Sequence, residues 1–136
     1  MKNQTILLRI AYRAGAIFDG IMVFPLLFPK IAGIMFKIAD FNPGVETRYV
    51  MYVGASLMLG WTILLIWADR KPIERRGVIL ITACPVVIGL TIANIYGVSC
   101  RFVKLENMLP TLILQAIILV LFFFSYAYSA KCKVKS

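Results

Sequence analysis

The sequence predicts an all-α fold: a polytopic membrane bundle of four transmembrane helices, with an interfacial amphipathic helix between the first two. Three observations carry this. The 136 residues are 61% hydrophobic and only 15% charged, against about 45–50% apolar and about 25% charged in soluble domains. The mean hydropathy is +0.87. The densest charged run, Trp67-Ala68-Asp69-Arg70-Lys71-Pro72-Ile73-Glu74-Arg75-Arg76-Gly77, lies between two long apolar stretches, as at a turn in the headgroup region of a bilayer. At about 20 apolar residues per crossing, the length suits one domain of four spans over residues 1–136.

The first span is expected over residues 5–28. Ile6-Leu7-Leu8 is too short an apolar core for a cleaved signal peptide, and Arg9 and Arg13 interrupt it. Ala14-Gly15-Ala16 resembles a cleavage site, but a long apolar run follows it. Pro25, Pro29 and Lys30 mark the exit. Residues 30–41 are too short and too charged to cross. Ile31, Ile34, Met35, Ile38 and Phe41 recur at helical spacing with Lys30 and Lys37 off the stripe, which predicts a helix lying in the interface. Asn42-Pro43-Gly44 ends it.

The second span is expected over residues 48–68, with Tyr49 and Tyr52 at one end and Trp67 at the other as an aromatic belt. Gly54, Ser56 and Gly60 offer a surface for close approach of another helix. The third span, residues 77–98, contains Pro85 and is expected to bend there. The fourth, residues 108–130, holds the uniformly apolar run Ile117 to Phe124 and leads into Lys131-Cys132-Lys133-Val134-Lys135.

Charge sets the orientation. With four spans, both termini and the charged run share a side. That side carries Lys2, Arg9, Arg13, Arg70, Lys71, Arg75, Arg76, Lys131, Lys133 and Lys135, a net +8 after Asp69 and Glu74. The other carries Lys30, Lys37, Arg48, Arg101 and Lys104, a net +2 after Asp40, Glu46 and Glu106. The basic excess faces the cytoplasm, so a multi-pass protein of the cell (inner) membrane is expected with both termini inside. With Asp19 inside the first span subtracting one, the overall +9 then reflects insertion and anionic lipid headgroups; no nucleic acid is expected as a partner.

The chain has no histidine, and its three cysteines form no CxxC. The usual haem ligand, transition-metal ligand and general base are thus missing, and neither a cofactor nor a metal site is expected. Cys84 reads as a small core residue, and Cys132 between lysines has a palmitoylation context.

Asp19 is the one acid well inside a span. An ionised carboxylate there is costly, so it is either a proton or cation site or a protonated, hydrogen-bonded packing group. By depth, Ser56, Thr91, Asn94 and Gln115 are candidate partners, and Asp19, Asn94 and Gln115 form a candidate polar site. The alternative is that each bonds a separate neighbour, because intramembrane hydrogen bonds average only about 0.6 kcal/mol. Arg9 and Arg13, one turn apart, are expected to snorkel; the alternatives are a lipid phosphate or a pair with Asp69 or Glu74. Arg70, Lys71, Arg75 and Arg76 are candidates for lipid-headgroup contact or orientation, with Asp69 and Glu74 ion-paired among the arginines. Trp61 is expected in core packing.

The order of elements, the Pro29 exit and the run Trp67-Ala68-Asp69-Arg70-Lys71-Pro72 with Glu74-Arg75-Arg76 resemble the small four-helix membrane proteins grouped as DoxX-like. The resemblance implies architecture and carries over no catalytic residue. Small multidrug exporters are similar in having four helices and an acid in the first. This chain departs from them in having Asp rather than Glu and a longer first connector. Sterol-isomerase-type bundles rely on histidines that this sequence lacks.

The leading functional expectation is a non-enzymatic membrane bundle with a structural or accessory role, binding lipid, a second copy or a partner membrane protein. The alternatives are a proton-coupled transporter using Asp19 and a membrane enzyme acting on a lipid. The missing histidine and the lack of a paired nucleophile count against the enzyme.

Overall fold

The computed structural model describes residues 2–131; the expectations for Cys132, Lys133 and Lys135 lie outside the described residues. These residues form helices joined by turns, with no strand among them, and include four helices long and apolar enough to cross a membrane. They run α1 (Lys2–Leu27), α2 (Pro29–Phe36), α3 (Val45–Asp69), α4 (Gly77–Ile81) continued by a π-helical segment (Thr82–Ile88) into α5 (Gly89–Ser99), and α6 (Leu105–Lys131).

The break between α1 and α2 follows from proline chemistry. Phe28 takes an extended conformation (φ −120°, ψ 96°) and Pro29 begins α2. Its missing N–H costs nothing there, because the first amides of a helix have no intrahelical acceptor.

The expected helix over residues 30–41 is corrected to Pro29–Phe36. Lys37 adopts a left-handed conformation (φ 53°), its N–H bonds Ile34 O at 3.3 Å, and Ile38 N–H reaches back to Gly33 O at 2.9 Å. That pair of bonds is a Schellman cap, which satisfies the last carbonyls and stops the helix. Phe41 therefore leaves the helical stripe and folds back onto α2. A Cβ on Gly33 would lie 3.0 Å from Phe41 Cβ. Ala32 and Gly33 are the buried positions of α2, while Ile34 is 79% exposed.

Arg48 stabilises the following turn. Its guanidinium donates to Pro43 O at 3.0 Å and Asn42 Oδ1 at 2.7 Å.

The helices pack unevenly. α1 and α3 form the most extensive pairing. A core of Leu8, Ala11, Tyr12, Leu65, Ala68, Ile79, Ala83 and Phe122 fills the half nearest the charged run. α5, in the other half, has no buried residue. Large apolar side chains cover the outside, including Ile17, Val50 and Val120.

Small residues set the close approach, but on a different helix from the one expected. Gly60 has open space around it, Ser56 is exposed, and Gly54 meets only Leu26 at 3.7 Å. The tight contact is at Gly15, where an added Cβ would stand 2.9 Å from Phe122 Cζ and 3.2 Å from Leu65 Cδ1. Cys84, expected in the core, is exposed.

Pro85 produces a change of helix type. Its ring removes one amide donor and crowds the preceding turn, and the chain accommodates it in the π-helical turns of Thr82–Ile88. Trp61 packs against this segment, its indole N–H donating to Thr82 Oγ1 at 3.1 Å.

Candidate functional site

The half of the bundle away from the charged run holds a partly open cavity of about 380 Å³. Gly15 and Phe122 lie at its inner end. Phe18, Asp19, Met22 and Leu26 of α1, Met51 and Met58 of α3, Val87, Leu90 and Asn94 of the third rod, and Thr111, Leu114, Gln115 and Ile118 of α6 line its walls. Phe36, Ile38, Phe41 and Phe102 line the opposite end.

Helix geometry explains why these groups converge. In an unbroken α-helix, the positions sharing a face with Thr82 would step by three or four residues. The π-helical turn inserts a step of five, so Val87, Leu90 and Asn94 follow Thr82 on the cavity side. Asn94 thereby meets α6, donating from Nδ2 to Gln115 Oε1 at 3.3 Å. Thr91 Oγ1 donates to Val87 O at 2.8 Å and lies 3.1 Å from Gln115 Oε1.

Asp19 faces the same cavity without joining that amide pair. Its Oδ2 is buried and accepts no hydrogen bond from the described residues. Ser56 is elsewhere: it is exposed, and its hydroxyl donates to Val53 O at 3.0 Å. Asp19, Asn94 and Gln115 thus share one cavity, and Ser56 does not.

No protein-family model, no curated protein and no solved structure matches this chain. The chemistry of the site therefore rests on its own geometry.

The end of the cavity away from the charged run is built from two helix caps of the same design. Past α2, Lys37 is left-handed and places Ile38. Past α5, Arg101 is left-handed (φ 57°), its N–H bonds Val98 O at 3.0 Å, and Phe102 N–H bonds Gly97 O at 3.0 Å. In both caps a glycine (Gly33, Gly97) stands where the final bond lands and an apolar residue enters the cavity wall. Phe41 and Phe102 then meet edge to face, ring centroids 6.3 Å apart at 68°. Asn107 Nδ2 donates to Phe36 O at 3.2 Å, tying α2 to α6.

The charged run at the other end is knitted into the bundle. Arg13 Nε donates to Asp69 Oδ2 at 3.2 Å, the pairing given above as an alternative. Glu74 pairs with its neighbour Lys71 at 3.1 Å. The two carboxylates thus find Arg13 and Lys71 in place of the arginines expected. Arg75 donates to Trp67 O and stacks over the Trp67 ring, 3.3 Å from its centroid. Arg76 donates to Ser129 O at 3.0 Å, with its guanidinium 5.9 Å from the Tyr126 ring. Arg9, Arg70 and Lys71 remain exposed.

Tyr12 is a structural residue that the sequence reading missed. It is fully buried, and its hydroxyl donates to Arg75 O at 2.8 Å. The signal was present: a tyrosine between Arg9 and Arg13 in an apolar helix carries a polar tip that needs a partner when buried. Phe122 and Gly15 were missed for a different reason, since their contact depends on how α6 meets α1. Among the described residues, no group of three His, Cys, Asp or Glu side chains is placed to hold a metal.

Proposed function

We propose that this chain is a multi-pass protein of the cytoplasmic membrane, both termini inside, whose bundle holds a lipid-class small molecule in the Asp19 cavity. The observation that carries this reading is the cavity: about 380 Å³, walled mainly by apolar side chains, with a few polar groups gathered inside. Ligand sites typically enclose about 300–1,000 Å³ with this mixture of apolar wall and sparse polar contacts. A bundle whose role was packing alone would gain dispersion energy by filling that space. The DoxX-like resemblance belongs to this proposal at the level of architecture. A second copy or another membrane protein is a further proposed partner, served by the apolar outer faces.

Extraction of the protein from its native membrane, followed by mass spectrometry of what remains bound after exhaustive washing, tests the ligand reading. A defined apolar molecule is expected with the wild-type chain and is expected to be lost from Leu114→Trp, which fills the cavity. Identical lipid profiles for the two proteins would remove the reading.

Cysteine labelling tests membrane placement and orientation. Cys84 and Cys100 are both exposed on the protein surface. Within the bilayer, lipid shields Cys84 from a water-soluble maleimide. Cys100 is expected to react from outside and Cys132 from inside. Reaction of Cys84 in sealed cells would overturn the membrane placement, and labelling of Cys100 and Cys132 from the same side would overturn the orientation.

A second reading, proton-coupled transport, is favoured by the unpartnered Asp19 Oδ2. Uptake driven by a proton gradient in liposomes, abolished by Asp19→Asn in a folded protein, is its expected signature. An absence of flux in the parent would exclude it.

A further inference from the structure

We propose that the cavity's occupant is a lipophilic amine, its ammonium group against Asp19 and its hydrocarbon body extending toward Phe36, Ile38 and Phe102; this rests on the reading of the cavity as a ligand site. Charge is the first argument. Asp19 Oδ2 is buried and accepts no hydrogen bond from the described residues. Among the described residues no lysine or arginine lines the cavity, and neither ion pair involves Asp19. Among apolar walls the field of a carboxylate is screened less than in water, and an uncompensated buried charge costs more than a paired one, so a cation is the favoured partner of the ionised acid.

Two of the donors that line the cavity are engaged away from Asp19. Thr82 Oγ1 donates to Val78 O at 2.8 Å and accepts from Trp61. Asn94 spends an amide hydrogen on Gln115. Neither bonds Asp19 Oδ2, which leaves that oxygen open to a donor carried by the occupant. Phe18 and Phe122 line the cavity toward its inner end, and aromatic faces favour a cation over a neutral or anionic head.

Size completes the description. At about 30 Å³ per water-sized group, the roughly 380 Å³ cavity suits a chain on the order of a dozen heavy atoms. A primary alkylamine of that length satisfies every element: one cationic donor and an unbranched apolar body. An alcohol supplies only a neutral donor, and a fatty acid brings a second negative charge beside Asp19.

The test uses the full chain in neutral detergent with dodecylamine, dodecanol and lauric acid as probes. Binding is read by equilibrium dialysis and by the shift in thermal unfolding midpoint. Wild-type protein is expected to bind dodecylamine at least about tenfold more tightly than dodecanol, the lower range for a close charge pair, and to bind lauric acid least. Asp19→Asn is expected to lower dodecylamine affinity to that of dodecanol while leaving dodecanol unchanged. Leu114→Trp is expected to weaken both. Equal wild-type affinity for amine and alcohol overturns the proposal and leaves the cavity reading standing, and so does an Asp19→Asn protein that keeps its amine preference. If no probe binds the wild type above its binding to Leu114→Trp, the cavity reading fails with it. The wild-type amine-to-alcohol ratio decides the matter even if Asp19→Asn does not fold.

Discussion

The Tyr12 hydroxyl donates to the main-chain carbonyl of Arg75 at 2.8 Å, across 63 residues of sequence. This bond joins the first helix to the charged turn between α3 and α4, and it does so from inside the core, where Tyr12 has no exposed surface. The turn is therefore part of the packed end of the bundle. Trp67 O and Ser129 O receive the Arg75 and Arg76 guanidinium groups and bind the same turn to α3 and α6.

Tyr12→Phe removes this one bond while keeping the ring in place. The expected loss is about 0.6–1.5 kcal/mol, between the average for hydrogen bonds within membranes and that for ordinary protein hydrogen bonds. Unfolding by SDS titration, followed by circular dichroism, measures it. Wild-type stability in Tyr12→Phe would mean that the bond makes no net contribution.

Gly15 and Gly60 are expected to respond oppositely to alanine. At Gly15 the new methyl meets the Phe122 ring at 2.9 Å and Leu65 at 3.2 Å, an overpacking that costs about 1–3 kcal/mol. At Gly60 nothing lies within 4 Å, and alanine gains up to about 1 kcal/mol of helix propensity. The pair of unfolding curves reads both signs. A destabilised Gly60→Ala would place the helix contact where the sequence suggested it.

The left-handed residues Lys37 and Arg101 are strained positions occupied by side chains with a Cβ. Glycine relieves that strain, and a β-branched residue increases it. Lys37→Gly is expected to exceed Lys37→Ile in stability by about 1–2 kcal/mol, with the same order at Arg101. Equal stabilities would show that the two caps are not held in this conformation.

The Arg13–Asp69 pair carries a small energy. Arg13's side chain is 67% exposed and Asp69's 20%, so a double-mutant cycle with Arg13→Leu and Asp69→Asn is expected to give about 0.2–1 kcal/mol. Screening in molar salt is expected to reduce it. A coupling of several kcal/mol would mean that the pair is shielded from water.

Much of the architecture was legible from composition and punctuation. Four apolar stretches of spanning length, proline at the α1 exit and the Asn42-Pro43-Gly44 turn specify helices and their ends through local rules that need no knowledge of neighbours. The depth of Asp19, Asn94 and Gln115 also followed from counting residues along helices, because a fixed rise per residue turns position into height.

Azimuth, in contrast, belonged to the tertiary structure. Whether Asn94 points at Gln115 depends on the π-helical turns around Pro85, which rotate everything beyond them, and sequence spacing cannot report that rotation. Ser56 shares the helical rule but faces outward, and the close contact belongs to Gly15 instead of Gly60, because side-chain volumes on α6 and α3 decide where two helices touch. Charge behaved similarly: Asp69 selected Arg13, distant in sequence, over the arginines beside it. The sequence by itself determined which segments are helical and how high each polar group stands. Only packing decided which of them meet, because contact depends on rotation about each axis and on the shapes of the neighbours.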